Sequence, residues 1–75
     1  MDLIEELRRE RSLPSPRAAR LIREQVGISQ ARLARELGVH RTAVTKWETG
    51  ERRPRGRLLV RYVELLAALQ AEVRL

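Results

Sequence analysis

Seventy-five residues allow one domain at most, near the lower limit for a free-standing hydrophobic core. With no cysteine, neither a disulfide framework nor thiolate metal ligation can compensate for the small size, and with no Phe, one Trp and one Tyr the core must be built from Leu, Ile, Val and Ala. The formal charge of +6 is unevenly placed: residues 41–57 hold six basic groups against two acidic ones, while residues 58–75 balance.

Leu3, Ile4 and Leu7 have helical spacing and predict a short helix over about residues 2–11. Asp2, Glu5 and Glu6 favour its N-terminal end, and Arg8, Arg9 and Arg11 its C-terminal end. Leu13-Pro14-Ser15-Pro16 breaks the chain, so residues 1–14 read as a helical extension and residues 15–75 as the main domain. Ser15 is suited to cap the next helix and Pro16 to occupy its first position. That helix, about 16–26, is expected to bury Ala18, Leu21, Ile22 and Val26 and to stop at Gly27.

Ser29 can cap a helix over about 30–37 with Ala31, Leu33, Ala34 and Leu37 on its inner face. Gly38 permits a left-handed turn, and Val39 is expected to drop into the core. A further helix begins at Val39 or His40 and runs to Trp47 or Glu48, with Val44 and Trp47 buried three residues apart. Ala34 is small because helices crossing at such a turn leave no room for a larger side chain. Gly50 ends that helix, and residues 51–56 read as a basic loop interrupted by Pro54.

The last segment, about 57–73, holds more apolar residues than one helix face can hide against a three-helix core. Leu59, Tyr62, Leu66, Leu69 and Val73 form one stripe, which Leu58, Leu65 and Val63 broaden. The surplus predicts that this helix also packs on a second subunit, through Leu58, Leu59, Tyr62, Leu65, Leu66 and Leu69. The fold class expected is all-α, a compact bundle of four or five helices with an extra short N-terminal helix.

Two short helices around a Gly38 turn, the second with a basic polar face, have the physical form of a helix-turn-helix. The chain resembles the Cro/repressor class of that motif, often called the xenobiotic-response-element-like family. The resemblance rests on Arg23 with Gly27, Ile28-Ser29-Gln30, Leu33-Ala34, Gly38-Val39, Val44, Trp47-Glu48-Thr49-Gly50 and Pro54, and covers about residues 17–70. It implies a domain that docks its third helix in the major groove of double-stranded DNA, commonly as a symmetric homodimer on a near-palindromic operator. It also suits a phage-type or mobile-element transcriptional repressor. The helix before Ser15 departs from the minimal domain and could cap the core, extend a dimer interface or contact a second protein.

On this reading Arg41, Thr42, Thr45 and Lys46 face the bases. Arg41 can take guanine O6 and N7 together with its planar fork, and Thr42 can bond a base edge or touch a thymine methyl. Gln30 can donate its amide to a phosphate beside a helix N-terminus. His40 either caps the recognition helix or approaches the DNA backbone. The resemblance pairs Arg23 with Glu48, which could also hold Arg23 to meet phosphate. Arg52, Arg53, Arg55 and Arg57 can clamp phosphates with salt-sensitive, sequence-independent affinity. Gly38, Ala34, Val44, Trp47 and Glu48 are structural.

An enzyme is hard to build from one His, no Cys and no phosphate-cradling glycine loop. No metal site and no cofactor are expected. No apolar run is long enough to span a bilayer, so the expected location is cytoplasmic and nucleoid-associated, with no membrane partner. Two alternatives keep the fold: an antitoxin binding both operator DNA and a protein toxin, and an adaptor that uses the fold for protein contacts alone.

Overall fold

Four of the five helices among the described residues start where a short polar side chain accepts a free backbone N–H. In the computed structural model, which describes residues 2–73, these are α1 (Leu3–Ser12), α2 (Pro16–Val26), α3 (Gln30–Leu37) and α4 (Arg41–Thr49), followed by α5 (Gly56–Val73). Asp2 accepts from Glu5 N–H at 2.8 Å, Ser15 from Ala18 N–H at 3.1 Å and Ser29 from Arg32 N–H at 3.0 Å. His40 does the same for α4, its Nδ1 accepting Thr42 N–H at 3.1 Å. Each of the Asp and Ser caps is worth about 1 kcal/mol. Met1, Arg74 and Leu75, at the outer ends of the two expected segments, lie outside the described residues.

Helices α2 and α3 end alike, and the ends aim the next helix. Gly38 is left-handed at φ 73°, its N–H bonds Arg35 O, and Val39 N–H reaches back to Ala34 O at 3.0 Å. A Cβ at Gly38 would meet no atom, so only the backbone conformation demands glycine there. Val39 then packs partly buried against the core, as expected.

The core is assembled from Ala19, Ile22, Leu33, Ala34, Leu37, Val44, Trp47, Tyr62 and Leu66. Helix α4 packs on both α2 and α3 around it, and α5 closes it against α2 and α3. Tyr62 stacks tilted on Trp47 with ring centroids 4.8 Å apart. The fold class is thus all-α, with five helices among the described residues, a helix-turn-helix in α3–α4 and an additional N-terminal helix.

Three expectations about burial are corrected. In α2 the buried face is Ala19, Ile22 and Arg23, whereas Leu21 is 50% exposed. Arg23 turns inward to meet Glu48, which rotates Leu21 to the opposite side of the helix. In α3 Ala31 is exposed, because Leu33, Ala34 and Leu37 alone set the inner face.

The third concerns α5. Leu59, Tyr62, Leu66 and Leu69, expected at a subunit interface, are buried in the chain's own core, and Leu58 and Leu65 pack half-buried against it. Their i, i+3, i+4 spacing points them at α2 and α3, and α1 lies across α5 from another side. Glu6 Oε1 accepts Gly56 N–H at 3.2 Å, and Arg9 stands 3.6 Å from Glu64. Much of the apolar width of α5 is therefore used within one chain.

Candidate nucleic-acid interface

The outer face of α4 is defined by what its inner face buries. Val44, Trp47 and Glu48 point inward, leaving Arg41 and Thr42 exposed and Thr45 and Lys46 half-buried at the edge. Arg41 and Thr42 stand on the first turn, immediately after the His40 cap. Because His40 Nδ1 accepts Thr42 N–H, the ring proton sits on Nε2, and the Thr42 hydroxyl lies 2.8 Å from Nδ1.

Behind this face a polar chain joins α2, α3 and α4. Arg23 grips Glu48 with two hydrogen bonds, Nε to Oε2 at 2.7 Å and Nη2 to Oε1 at 2.9 Å. Its Nη1 donates to Ile28 O at 2.8 Å, just past the end of α2. Gln30 Nε2 donates to Glu48 Oε1 at 3.0 Å, and Gln30 Oε1 accepts the Thr45 hydroxyl at 2.8 Å. Both charged partners are buried, so the bidentate fork and the extra amide replace the water that each has lost. The hydrogen bond to Glu48 raises the Arg23 pKa against the opposing effect of burial.

This geometry sorts the predicted residues. Arg23 is withdrawn from solvent at 8% exposure and committed to Glu48 and Ile28. The expectation that it also reaches a phosphate is corrected on that ground. The single hydroxyl hydrogen of Thr45 is shared between Gln30 Oε1 and Arg41 O, which leaves its oxygen lone pairs to accept from a partner. Gln30 is half-buried, with one amide hydrogen uncommitted. Ala34, Val44, Trp47 and Glu48 are all buried.

An open cleft of about 870 Å³ runs beside α4, lined by Thr42 and Lys46 together with Arg52, Arg53 and Arg55. Glu10 and Leu13 border it from α1 and the residue that follows. Arg57 is exposed on α5 and does not line the cleft. The loop is fixed at its start by Arg52 N–H donating to Lys46 O at 3.2 Å, and by buried Pro54.

Two structural contacts carry no sequence signature. Ile28 O enters through its backbone, which any residue supplies. Arg61, on α5, donates to Glu36 O at 2.9 Å and Leu37 O at 3.3 Å, taking up free carbonyls at the end of α3. A basic residue facing a helix C-terminus some 24 positions away is recognisable only once the two are packed together.

Among the described residues no His, Cys, Asp and Glu cluster could hold a metal ion, and no helix is long and apolar enough to cross a membrane. Among the described residues no catalytic motif accompanies the fold. What the fold and the basic face of α4 define is a helix-turn-helix domain, a class whose general role is DNA binding in transcription regulation. The Helix-turn-helix family model matches residues 20–68, and the chain belongs to this Cro/repressor-like family. No curated protein and no solved structure matches it.

Proposed function

We propose that this protein is a sequence-specific transcriptional regulator, acting as a repressor, that inserts α4 into the major groove of an operator. The observation that carries this reading is the exposed pair Arg41–Thr42 at the start of α4, beside a cleft lined by Lys46, Arg52, Arg53 and Arg55. Groove-reading residues belong at the N-terminal end of a recognition helix, and arginines flanking it supply backbone affinity. Arg41 addresses a guanine, Thr42 a base edge or thymine methyl, and Lys46 a base or the adjacent phosphate. Gln30 approaches a phosphate through its uncommitted amide hydrogen while its other groups hold Glu48 and Thr45 in register. His40 stands at the N-terminus of α4.

The working form in this reading is a homodimer, with two α4 helices in successive major grooves about one helical turn, roughly 34–36 Å, apart. Its place is the cytoplasm, on the nucleoid.

Selection from random double-stranded oligonucleotides tests the proposal, with Arg41→Ala/Thr42→Ala in parallel. A palindromic enriched site that the variant loses is the expected result. Binding without sequence preference in both proteins would overturn it.

A further inference from the structure

Helix α1 sits with its polar side inward. Glu6 and Arg9 face α5, where they meet Gly56 N–H and Glu64. The apolar residues look the other way: Leu3 is 68% exposed, Ile4 56% and Leu7 39%. No residue of α1 is buried. At helical spacing Leu3, Leu7 and Arg11 lie along one line and Ile4, Arg8 and Arg11 along its neighbour, so the outward face is an apolar stripe edged by arginine. A helix of ten residues is too short to hold itself together in water, and one docked only by its polar side gains little from burial. A contiguous apolar patch of this kind marks a contact surface.

We propose that α1 is a self-association surface, pairing antiparallel with α1 of a second copy of this chain. The inference rests on the dimeric reading above and locates its contact, in place of the α5 residues that the core consumes.

The charges of α1 choose both partner and direction. Glu5 lies in its first half, Arg8 and Arg11 in its second. Glu5, Arg8 and Arg11 form no ion pair among the described residues. In the antiparallel register that sets Arg8 opposite the partner's Glu5, the midpoint falls between Glu6 and Leu7. Two-fold symmetry repeats this pair, and Leu7 lies beside the axis with Ile4 and Leu3 along the seam. A parallel pairing would instead set acid against acid and arginine against arginine. The exposed ion pairs fix the register, and the apolar stripe supplies the affinity.

The size of the surface sets its strength. Ten helical residues span about 15 Å. One face of that length buries well under the roughly 1,200 Å² of a stable complex, so the solution dimer is weak and becomes firm when two copies share one DNA. Glu10 and Leu13 border the cleft that holds Thr42 and Lys46, so α1 joins the copies beside their DNA-facing surfaces.

Sedimentation equilibrium on the full chain tests this, together with titration of the selected DNA to count chains per site. Wild type is expected to dimerise with a dissociation constant on the order of 100 µM and to place two chains on each site. Leu7→Asp, Glu5→Arg and Arg8→Glu should each weaken pairing roughly tenfold or more, in solution and on DNA, with unchanged helical circular dichroism. An equimolar mixture of Glu5→Arg and Arg8→Glu should pair again to within about threefold of wild type, because each supplies the charge the other needs. Variants that pair as wild type does would overturn the α1 contact and leave the dimer standing on another surface. A wild type that is monomeric throughout, with one chain per DNA site, would overturn both.

Discussion

Glu48 stands near the end of α4, and its carboxylate accepts two hydrogen bonds from Arg23 and one from Gln30. Removing it strands a buried guanidinium and frees the amide that aligns Thr45. Glu48→Ala should therefore cost about 3–5 kcal/mol, a large part of the roughly 5–15 kcal/mol that holds a domain together. Thermal melting by circular dichroism reads this directly; a shift no larger than that of a surface substitution would remove the pair from its structural role.

Tyr62 presents the opposite case. It is 1% exposed and its hydroxyl meets no hydrogen-bond partner. Tyr62→Phe should leave stability unchanged or raise it by about 1 kcal/mol. Burial pushes the Tyr62 pKa well above its ordinary value of 10.0; the nearby Glu48 charge adds to this and Arg23 opposes it. The folded state therefore keeps a proton that the unfolded chain gives up above pH 10. The stabilisation is complete below that pH, and the Tyr62 contribution is lost at about 1.4 kcal/mol per pH unit above it. Denaturant titrations at pH 9 and 11 should show this decline in wild type and a smaller one in Tyr62→Phe.

At the scale of the element, caps and ends were legible because they are local. Ser15 and Ser29 each bond an N–H three residues ahead, so the residue type and its place before a periodic run suffice to predict them; the sequence reading does not name the Asp2 cap, and it leaves His40 between capping and a DNA contact. Apolar counting misses the inward rotation of α2, because it favours Leu21 over Arg23; only the family resemblance pairs Arg23 with Glu48. The carboxylate arriving from α4 makes the arginine the inner residue. Arg61 poses the same problem between α5 and α3. Arg61→Ala should free the Glu36 and Leu37 carbonyls, at a cost of about 1 kcal/mol and a melting temperature lower by about 4–8 °C. Faster amide exchange confined to the end of α3 and the Gly38 turn would accompany it. An unchanged melt and exchange pattern would mean that water replaces Arg61 without loss.

Across the whole molecule, charge and apolar surface are segregated. The excess of arginine lies beside α4, in a loop whose arginines are exposed and free to follow a phosphate backbone. Replacing Arg52, Arg53 and Arg55 by Ala should weaken binding of all DNA sequences nearly alike. The slope of log affinity against log salt should become shallower by about one for each phosphate that an arginine no longer neutralises. Fluorescence anisotropy across a salt series measures both; a weakening confined to the preferred operator would make these arginines readers of sequence.

The fold class, the helix order, the Gly38 turn and the basic outer face of α4 were determined by the sequence alone. Each depends on residues close together in the chain, where spacing is geometry. Tertiary structure decided which apolar residues are spent inside. It buried Leu59, Tyr62, Leu66 and Leu69 within the chain and left Leu3 and Ile4 facing out. A helix pattern says that one face will be covered. What covers it depends on which other helices pack there, and no short stretch of sequence contains that.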